Sequence, residues 1–146
     1  MTLADTNVWL ALCLSGHEHH QAAVDWMQRA GPKEVLFCRS TQQSFLRLLT
    51  TAGVLRHYGN PPLTNAEALE LYQGLVADSR IGFVHEPADL DHHWYSLATP
   101  NTASPKVWMD AYLAAFAIAG RYRLITIDLA FQQYSNLDLI LLQTGS

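Results

Sequence analysis

The sequence has few cysteines and no long apolar run. Its two cysteines, Cys13 and Cys38, lie far apart and form no Cys-x-x-Cys pair, so we expect free, buried thiols and no structural zinc site. No stretch approaches the roughly 18 apolar residues of a membrane span, and no membrane contact is expected. The residues from Met1 to Asp5 lack the basic and apolar regions of a signal peptide, which predicts a cytoplasmic protein.

Charged side chains are scarce, and their balance is slightly acidic. They make up 15% of the 146 residues, hydrophobic residues make up 49%, and the net charge is −4. This composition is typical of a globular protein, and the length predicts one domain over residues 1–146. Nucleic-acid binders are normally more basic. A metal-dependent nuclease is compatible with the acidic balance, because its metal neutralises the acids and contacts phosphate directly.

Several common functional signatures are missing. The chain has no Gly-x-Ser-x-Gly, Walker or Gly-x-Gly-x-x-Gly motif, which leaves serine hydrolases and nucleotide-binding domains without support. His17, His19 and His20 lack the i, i+4 spacing of a helical zinc site, and we interpret them as capping or surface residues. The tryptophans are interpreted as core or interface residues, with Trp108 the one to test for RNA contact.

Short apolar runs alternate with helix-like patterns. We predict strands over 2–5, 35–37, 81–85, 123–127 and 138–142, and helices or helical turns over 6–14, 18–30, 40–52, 65–77, 88–98 and 129–134. A further helix carries Asp110 and ends near Ala119. Ser40 is the predicted N-cap of the 40–52 helix, residues 53–63 a loop, and Thr64 to Glu67 a capping box. The alternation predicts an α/β domain with a parallel sheet of about five strands and helices on both faces.

Three aspartates occupy the junctions of this pattern. Asp5 ends the first predicted strand, Asp128 follows the fourth, and Asp110 lies in the first turns of an apolar helix. If the two strands are neighbours, both side chains emerge at the carboxyl edge of the sheet, where such folds bind ligands. Carboxylates about 4 Å apart repel by about 4 kcal/mol near a protein surface, so such a cluster takes up a proton or a cation. Mg²⁺ or Mn²⁺ fits oxygen ligands, whereas the plainer alternative is that each aspartate is a cap or turn residue.

At these residues the chain resembles the PIN domain family and, within it, the VapC-type ribonuclease toxins. The resemblance rests on Leu3 to Val8, Trp108 to Ala115 and Leu124 to Asp128, with further similarity over 41–50, 62–64 and 17–20. It implies a single PIN-like domain and a metal-dependent endoribonuclease that hydrolyses RNA phosphodiester bonds. Acids matching Asp5, Asp110 and Asp128 would be catalytic and would hold one or two Mg²⁺ or Mn²⁺ ions. The hydroxyls of Thr6 and Thr126 would orient waters or carboxylates, and Asn7 would shape the turn.

One position departs from the family pattern. PIN domains commonly carry a fourth acid on the helix after the second strand, and here that position is Ser44, preceded by Gln43. Neither side chain supplies a charge, although Gln43 offers a carbonyl oxygen. We therefore expect weaker cation binding, and a second hypothesis is a catalytically degenerate PIN domain that binds RNA or protein without cleavage.

The resemblance also implies macromolecular partners. Besides RNA, we expect a VapB-like antitoxin that lays an apolar helix in a groove and places an Arg or Lys near the acids, and a homodimer formed by the second to fourth predicted helices. A third hypothesis is a receiver-like signalling domain that binds Mg²⁺ through clustered aspartates. This chain fits it poorly, because it has one acid after the first strand, Glu86 after the third, and no lysine after Lys106.

Overall fold

Five short strands form one parallel sheet in the computed structural model, which describes residues 1–144. They are β1 (Thr2–Ala4), β2 (Val35–Phe37), β3 (Ile81–Phe83), β4 (Arg123–Thr126) and β5 (Leu139–Leu141). Their order across the sheet is β3-β2-β1-β4-β5. The central strand β1 pairs with β4, with Leu3 opposite Leu124 and Ala4 opposite Ile125. The predicted parallel sheet and the pairing of the strands that precede Asp5 and Asp128 are both confirmed.

Helices connect the strands. Within residues 1–144 they are α1 (Thr6–Cys13), α2 (His20–Met27), α3 (Arg39–Leu49), α4 (Ala52–His57), α5 (Asn65–Val76), α6 (Leu90–Ala98) and α7 (Val107–Gly120), followed by a 3₁₀ turn at Leu129–Gln133. α5 begins with the predicted capping box, in which Thr64 Oγ1 accepts from the Glu67 amide at 3.1 Å and Glu67 Oε1 accepts from the Thr64 amide at 2.9 Å. In the described part of the chain, no helix has both the length and the apolar character needed to cross a membrane.

The two faces of the sheet bury separate sets of side chains. Successive residues of a strand point to opposite faces. Ala4 and Ile125 accordingly join a core with α1, α2, α3 and α5, whereas Leu3 and Leu124 join a core with α6 and α7. Trp9 of α1 stacks on Phe37 of β2 with ring centroids 3.8 Å apart, so this tryptophan is a core residue as predicted. Helices therefore cover both faces, which confirms the predicted layer arrangement.

One predicted loop contains a helix, and one predicted cap is wrong. Residues 53–63 were expected to be a loop, but α4 spans Ala52–His57 because Leu55 is buried in the core and Tyr58 stacks on His17 at 4.6 Å. Such tertiary packing overrides the low helix propensity of Gly53. The N-cap of α3 is Cys38 and not Ser40, because Thr41 Oγ1 accepts from the Cys38 amide at 3.0 Å and fixes the start of the helix.

Candidate active site

Asp5 is the most buried of the three aspartates. It follows β1 directly and is the N-cap of α1, where its Oδ1 accepts from the Thr6 amide at 2.7 Å. Its other carboxylate oxygen, Oδ2, accepts from the Thr126 hydroxyl at 2.7 Å. Both oxygens are thus oriented by a donor, and each keeps a further lone pair for a ligand.

The Thr126 hydroxyl joins the ends of β1 and β4. It is fully buried, donates to Asp5, and accepts from the Asp128 amide at 3.1 Å and from Asn7 Nδ2 at 3.3 Å. Asn7 Oδ1 also accepts from the Ile127 amide at 3.3 Å. These bonds connect residues about 120 positions apart in the chain and set the direction of the Asp5 carboxylate. They also agree with the prediction that Asn7 shapes the turn.

Asp110 and Asp128 complete the acidic set. Asp110 lies in the first turn of α7, half-buried, and lines the same cavity as Asp5. Asp128 follows β4, is exposed, and caps the 3₁₀ turn by accepting from the Ala130 amide at 2.9 Å. The predicted acids therefore meet at the carboxyl edge of the sheet, as expected for the ends of adjacent parallel strands.

The acids interact electrostatically. Burial raises the pKa of Asp5, the hydrogen bonds from Thr126 and Thr6 partly oppose this, and the carboxylates of Asp110 and Asp128 raise the pKa further. The pKa of Asp110 is raised by burial and then by Asp128, and is lowered by the Lys106 ammonium. Raised carboxyl pKa values mean that the ionised cluster is costly without a compensating positive charge.

The donors at this edge fit a hard divalent cation held partly through water. Within residues 1–144, no three His, Cys, Asp or Glu side chains lie close enough together to hold a metal ion by themselves. Mg²⁺ characteristically binds one or two carboxylates and keeps several waters, so it does not need three protein ligands. The buried hydroxyl of Tyr134 supports this arrangement. Burial raises the pKa of this hydroxyl, and the charges of Asp110 and Asp128 raise it further. The hydroxyl has no hydrogen-bond partner among the described residues. A water or ion at the acids would satisfy that hydroxyl.

An open cavity of about 300 Å³ lies in front of Asp5 and Asp110. Thr6 and Ser44, two of the predicted supporting residues, also line it. Ser44 thus lies on the helix and in the cavity where the fourth acid was expected. Gln43 is exposed and does not line this cavity, so the structure does not bring it to the site as α3 is oriented.

Two features of the site were missed by sequence analysis. Trp94 of α6 lines the cavity together with Trp108, although no local pattern connects the two elements. Glu86 lies after the edge strand β3 and accepts from the Tyr112 hydroxyl of α7 at 2.8 Å. The position of Tyr112, two residues after Asp110, could have identified it as a residue near the site. No sequence signal identifies Glu86, 26 positions earlier, as its hydrogen-bond acceptor.

The remaining candidates have structural roles. His17 Nδ1 accepts from the His19 amide at 3.0 Å, and His20 Nδ1 contacts the Ala11 carbonyl at 2.8 Å, so two of these histidines fix the entry to α2. Cys13 and Cys38 are free thiols, as expected. Cys38 is buried and Cys13 is half-buried, where burial raises the pKa of the Cys13 thiol to about 12.

Comparison with known proteins assigns the chain to a family. The PIN domain model matches residues 2–137. The chain is 51% identical over 144 residues to Ribonuclease VapC41 of Mycobacterium tuberculosis, which covers 97% of this chain and 99% of that protein. Among solved structures, VapBC-1 from nontypeable Haemophilus influenzae superposes with a TM-score of 0.67 at 13% identity, covering 96% of each chain. A toxin–antitoxin complex from Klebsiella pneumoniae gives 0.63 at 16% identity, covering 99% and 100%.

The two structural likenesses support the fold, and the sequence identity supports a narrower group. The match to Ribonuclease VapC41 extends over 97% of this chain at 51% identity. The chain therefore belongs to the PIN domain family and, within it, to the VapC ribonucleases.

Proposed function

We propose that this chain is a metal-dependent endoribonuclease, the toxin of a toxin–antitoxin pair with a VapB-like partner. The observation that carries the proposal is the placement of a half-buried, doubly hydrogen-bonded Asp5 beside Asp110 and Asp128 at the carboxyl edge of the sheet. Half identity to Ribonuclease VapC41 over nearly the full length supports the same activity.

Each of the acidic and hydroxyl side chains at this edge would have a separate role. Asp5 and Asp110 would hold the cation directly or through water, and Asp128 would bind through water. Bound Mg²⁺ or Mn²⁺ would supply an oriented, acidified water and would stabilise charge on the phosphate. Thr126 and the Thr6 amide keep the Asp5 carboxylate in one orientation, which limits its reorganisation on binding.

RNA would approach this edge despite the net negative charge of the chain. Lys106 is close enough to Asp110 to lower its pKa, so one ammonium group stands beside the acids. Arg121 and Arg123 cannot add to it, because Arg121 precedes β4 and Arg123 is its first residue, so both lie at the opposite edge of the sheet. Lys106 would therefore assist the cation in attracting the phosphate.

Family membership also motivates the proposed assembly. We expect a homodimer, and an antitoxin that places a basic side chain near the acids and so competes with the cation. The relative from Klebsiella pneumoniae was solved as a toxin–antitoxin complex, which makes a co-expressed small partner the first one to test.

A second candidate function is RNA or protein binding without cleavage. The observation that favours it is Ser44, which lines the cavity without a charge where the family commonly has an acid. With three acids the cation would bind more weakly than with four, because less negative charge compensates for the waters that the cation loses on binding.

The test is cleavage of total cellular RNA by antitoxin-free protein in Mg²⁺, in Mn²⁺ and in EDTA. We expect cutting with either metal and none with EDTA. Asp5→Asn should abolish cutting, because it removes one charge while keeping the N-cap geometry. Circular dichroism verifies that each variant is folded.

Asp138→Asn is the matched control. Asp138 is exposed and precedes β5, so it lies at the sheet edge away from the acids, and this variant should cut like the unmodified protein. A folded protein that fails to cut in either metal, yet binds RNA, would contradict the nuclease and support the binding function. Equal cutting by Asp5→Asn would contradict the site assignment.

A further inference from the structure

Three side chains form an aromatic wall on one side of the cavity: Trp94, Trp108 and Tyr112. Trp94 packs edge-on against both of the others, with ring centroids 6.3 Å from Trp108 and 5.6 Å from Tyr112. Trp108 remains 49% exposed. A large ring that is half open to solvent and rims a cavity beside acids indicates a ligand-binding surface more than a core position.

Hydrogen bonds fix the aromatic wall in place. Trp94 Nε1 donates to the Trp108 carbonyl at 2.9 Å, and the Tyr112 hydroxyl donates to Glu86 at 2.8 Å. Trp94 is thereby tied to the backbone of α7, and Tyr112 is tied to the loop after β3. A ligand that stacks on this wall would pay little for ordering it.

The cavity is also lined by three hydroxyl-bearing residues from the first turns of α3: Ser40, Thr41 and Ser44. The Thr41 hydroxyl is occupied, because it accepts from the Cys38 amide at 3.0 Å and donates to the Cys38 carbonyl at 3.1 Å. Ser40 contacts only the weak acceptor Cys38 Sγ, at 3.4 Å. Ser40 and Ser44 are therefore the groups best able to bond a ligand.

We infer that this cavity is a nucleobase pocket, which holds one unstacked base of single-stranded RNA next to the phosphate that a cation at Asp5 and Asp110 would bind. The inference rests on the proposed ribonuclease function and deepens it by naming how the substrate is held. A base offers a flat face for the aromatic wall and a polar edge for Ser40 and Ser44, and both kinds of contact are present in one cavity.

Continuity with the acids distinguishes a base from a protein side chain as the occupant. Asp5 and Asp110 line the same cavity as the aromatic wall, so a phosphate at the acids places the base of an adjoining nucleotide at the wall. An apolar protein side chain would use the rings but leave the hydroxyls unpaired. The volume of about 300 Å³ also lies at the lower end of small-ligand pockets, which suits a single planar ring system.

The first experiment measures binding without cleavage, using short fluorescently labelled oligomers of A, C, G and U with the Asp5→Asn protein. Adding Trp108→Ala should weaken binding of the preferred oligomer roughly five- to 100-fold, the loss expected for one stacked base. Trp108→Phe should restore most of the affinity because it keeps a ring. Leu69→Ala is the matched control, since Leu69 is also a large apolar residue exposed on a helix but does not line this cavity, and the affinity of this variant should stay within about twofold.

The second experiment sequences the ends produced from RNA of random sequence by the metal-loaded protein. Wild type should prefer one base at a fixed position beside the cut, Trp108→Ala should reduce the rate without removing metal dependence, and Ser40→Ala should change the preferred base. If wild type cuts but neither variant alters affinity or preference, the pocket is overturned while the ribonuclease stands. If Trp108→Ala instead weakens only the binding of a co-expressed antitoxin, the occupant is a protein side chain and the inference is likewise overturned. Failure of wild type to cut counts against the proposed function alone, because the binding experiment needs no cleavage.

Discussion

Replacing Thr126 with valine removes the hydroxyl that joins the ends of β1 and β4. The side chain keeps its shape, so the effect comes from three hydrogen bonds: one to Asp5 at 2.7 Å, one from the Asp128 amide at 3.1 Å and one from Asn7 at 3.3 Å. Thr126 is 0% exposed, and water cannot easily replace these bonds. Thr126→Val therefore removes a buried, hydrogen-bonded hydroxyl group, and it is not a conservative change.

The magnitude follows from the partners. A hydrogen bond to a charged group contributes about 1.5–3 kcal/mol, and each buried donor left without a partner costs about 1–3 kcal/mol. Because Asp5 is half-buried and Asn7 is bonded at long distance, we expect a total loss of about 3 kcal/mol. For a domain of this size that corresponds to a fall in Tm of about 6–12 °C.

Urea unfolding at neutral pH measures this loss, with Thr51→Val as the matched control. Thr51 is exposed and donates only to the Arg47 carbonyl, so its replacement should change the free energy of unfolding by less than about 0.5 kcal/mol. A loss below about 1 kcal/mol for Thr126→Val would refute the assigned role. In an Asp5→Asn background the Thr126→Val penalty should shrink, since part of it acts through the carboxylate.

Three further predictions concern the cation. Because burial and mutual repulsion raise the pKa values of Asp5 and Asp110, both carboxyls bind protons more tightly in the folded than in the unfolded protein. Their contribution to stability without metal is therefore largest at low pH and is lost as pH rises from the ordinary aspartate value of 3.8. The stabilisation by Mg²⁺, measured as a shift in Tm, should correspondingly grow with pH, and an unchanged shift between acid and neutral pH would contradict the linkage. Ser44→Glu should raise Mg²⁺ affinity at least tenfold by calorimetry, about the effect of 1.4 kcal/mol, and an unchanged affinity would show that this position is not equivalent to the fourth acid. Tyr134→Phe should lower Mg²⁺ affinity about three- to tenfold with little loss of stability, since its hydroxyl has no protein partner among the described residues, and equal affinity would exclude the hydroxyl from the metal's water shell.

The sheet and the acidic edge were predictable because their signals are local. Alternating apolar runs and helical patterns place a strand before Asp5 and another before Asp128, and the parallel topology then brings both ends to one edge. The position of α4 was not predictable in this way. Its stability depends on Leu55 in the core and on the stacking of Tyr58 on His17, a contact between residues 41 positions apart.

The inner structure of the site shows the same limit. Asp5, Asp110 and Asp128 were identifiable from position and residue type, and the Thr126 hydroxyl from its place beside Asp128. Its contact with Asn7 spans 119 positions and follows only from the pairing of β1 with β4. The aromatic wall likewise depends on the packing of α6 against α7, a tertiary contact that local sequence patterns do not reveal.

The plain interpretation of the strand-end aspartates as caps is confirmed, and it is compatible with the proposed role in holding a cation. Asp5 caps α1 through the Thr6 amide, and Asp128 caps the 3₁₀ turn through the Ala130 amide. A cap fixes one carboxylate oxygen and so aims the other, which means that capping prepares each side chain for a ligand instead of competing with it. Asp110 is not a helix cap, because it lies within the first turn of α7. Burial and Asp128 raise its pKa, and the Lys106 ammonium lowers it. In the proposed site the two capped acids would therefore supply the fixed part, and Asp110 would supply the part that adjusts to the cation.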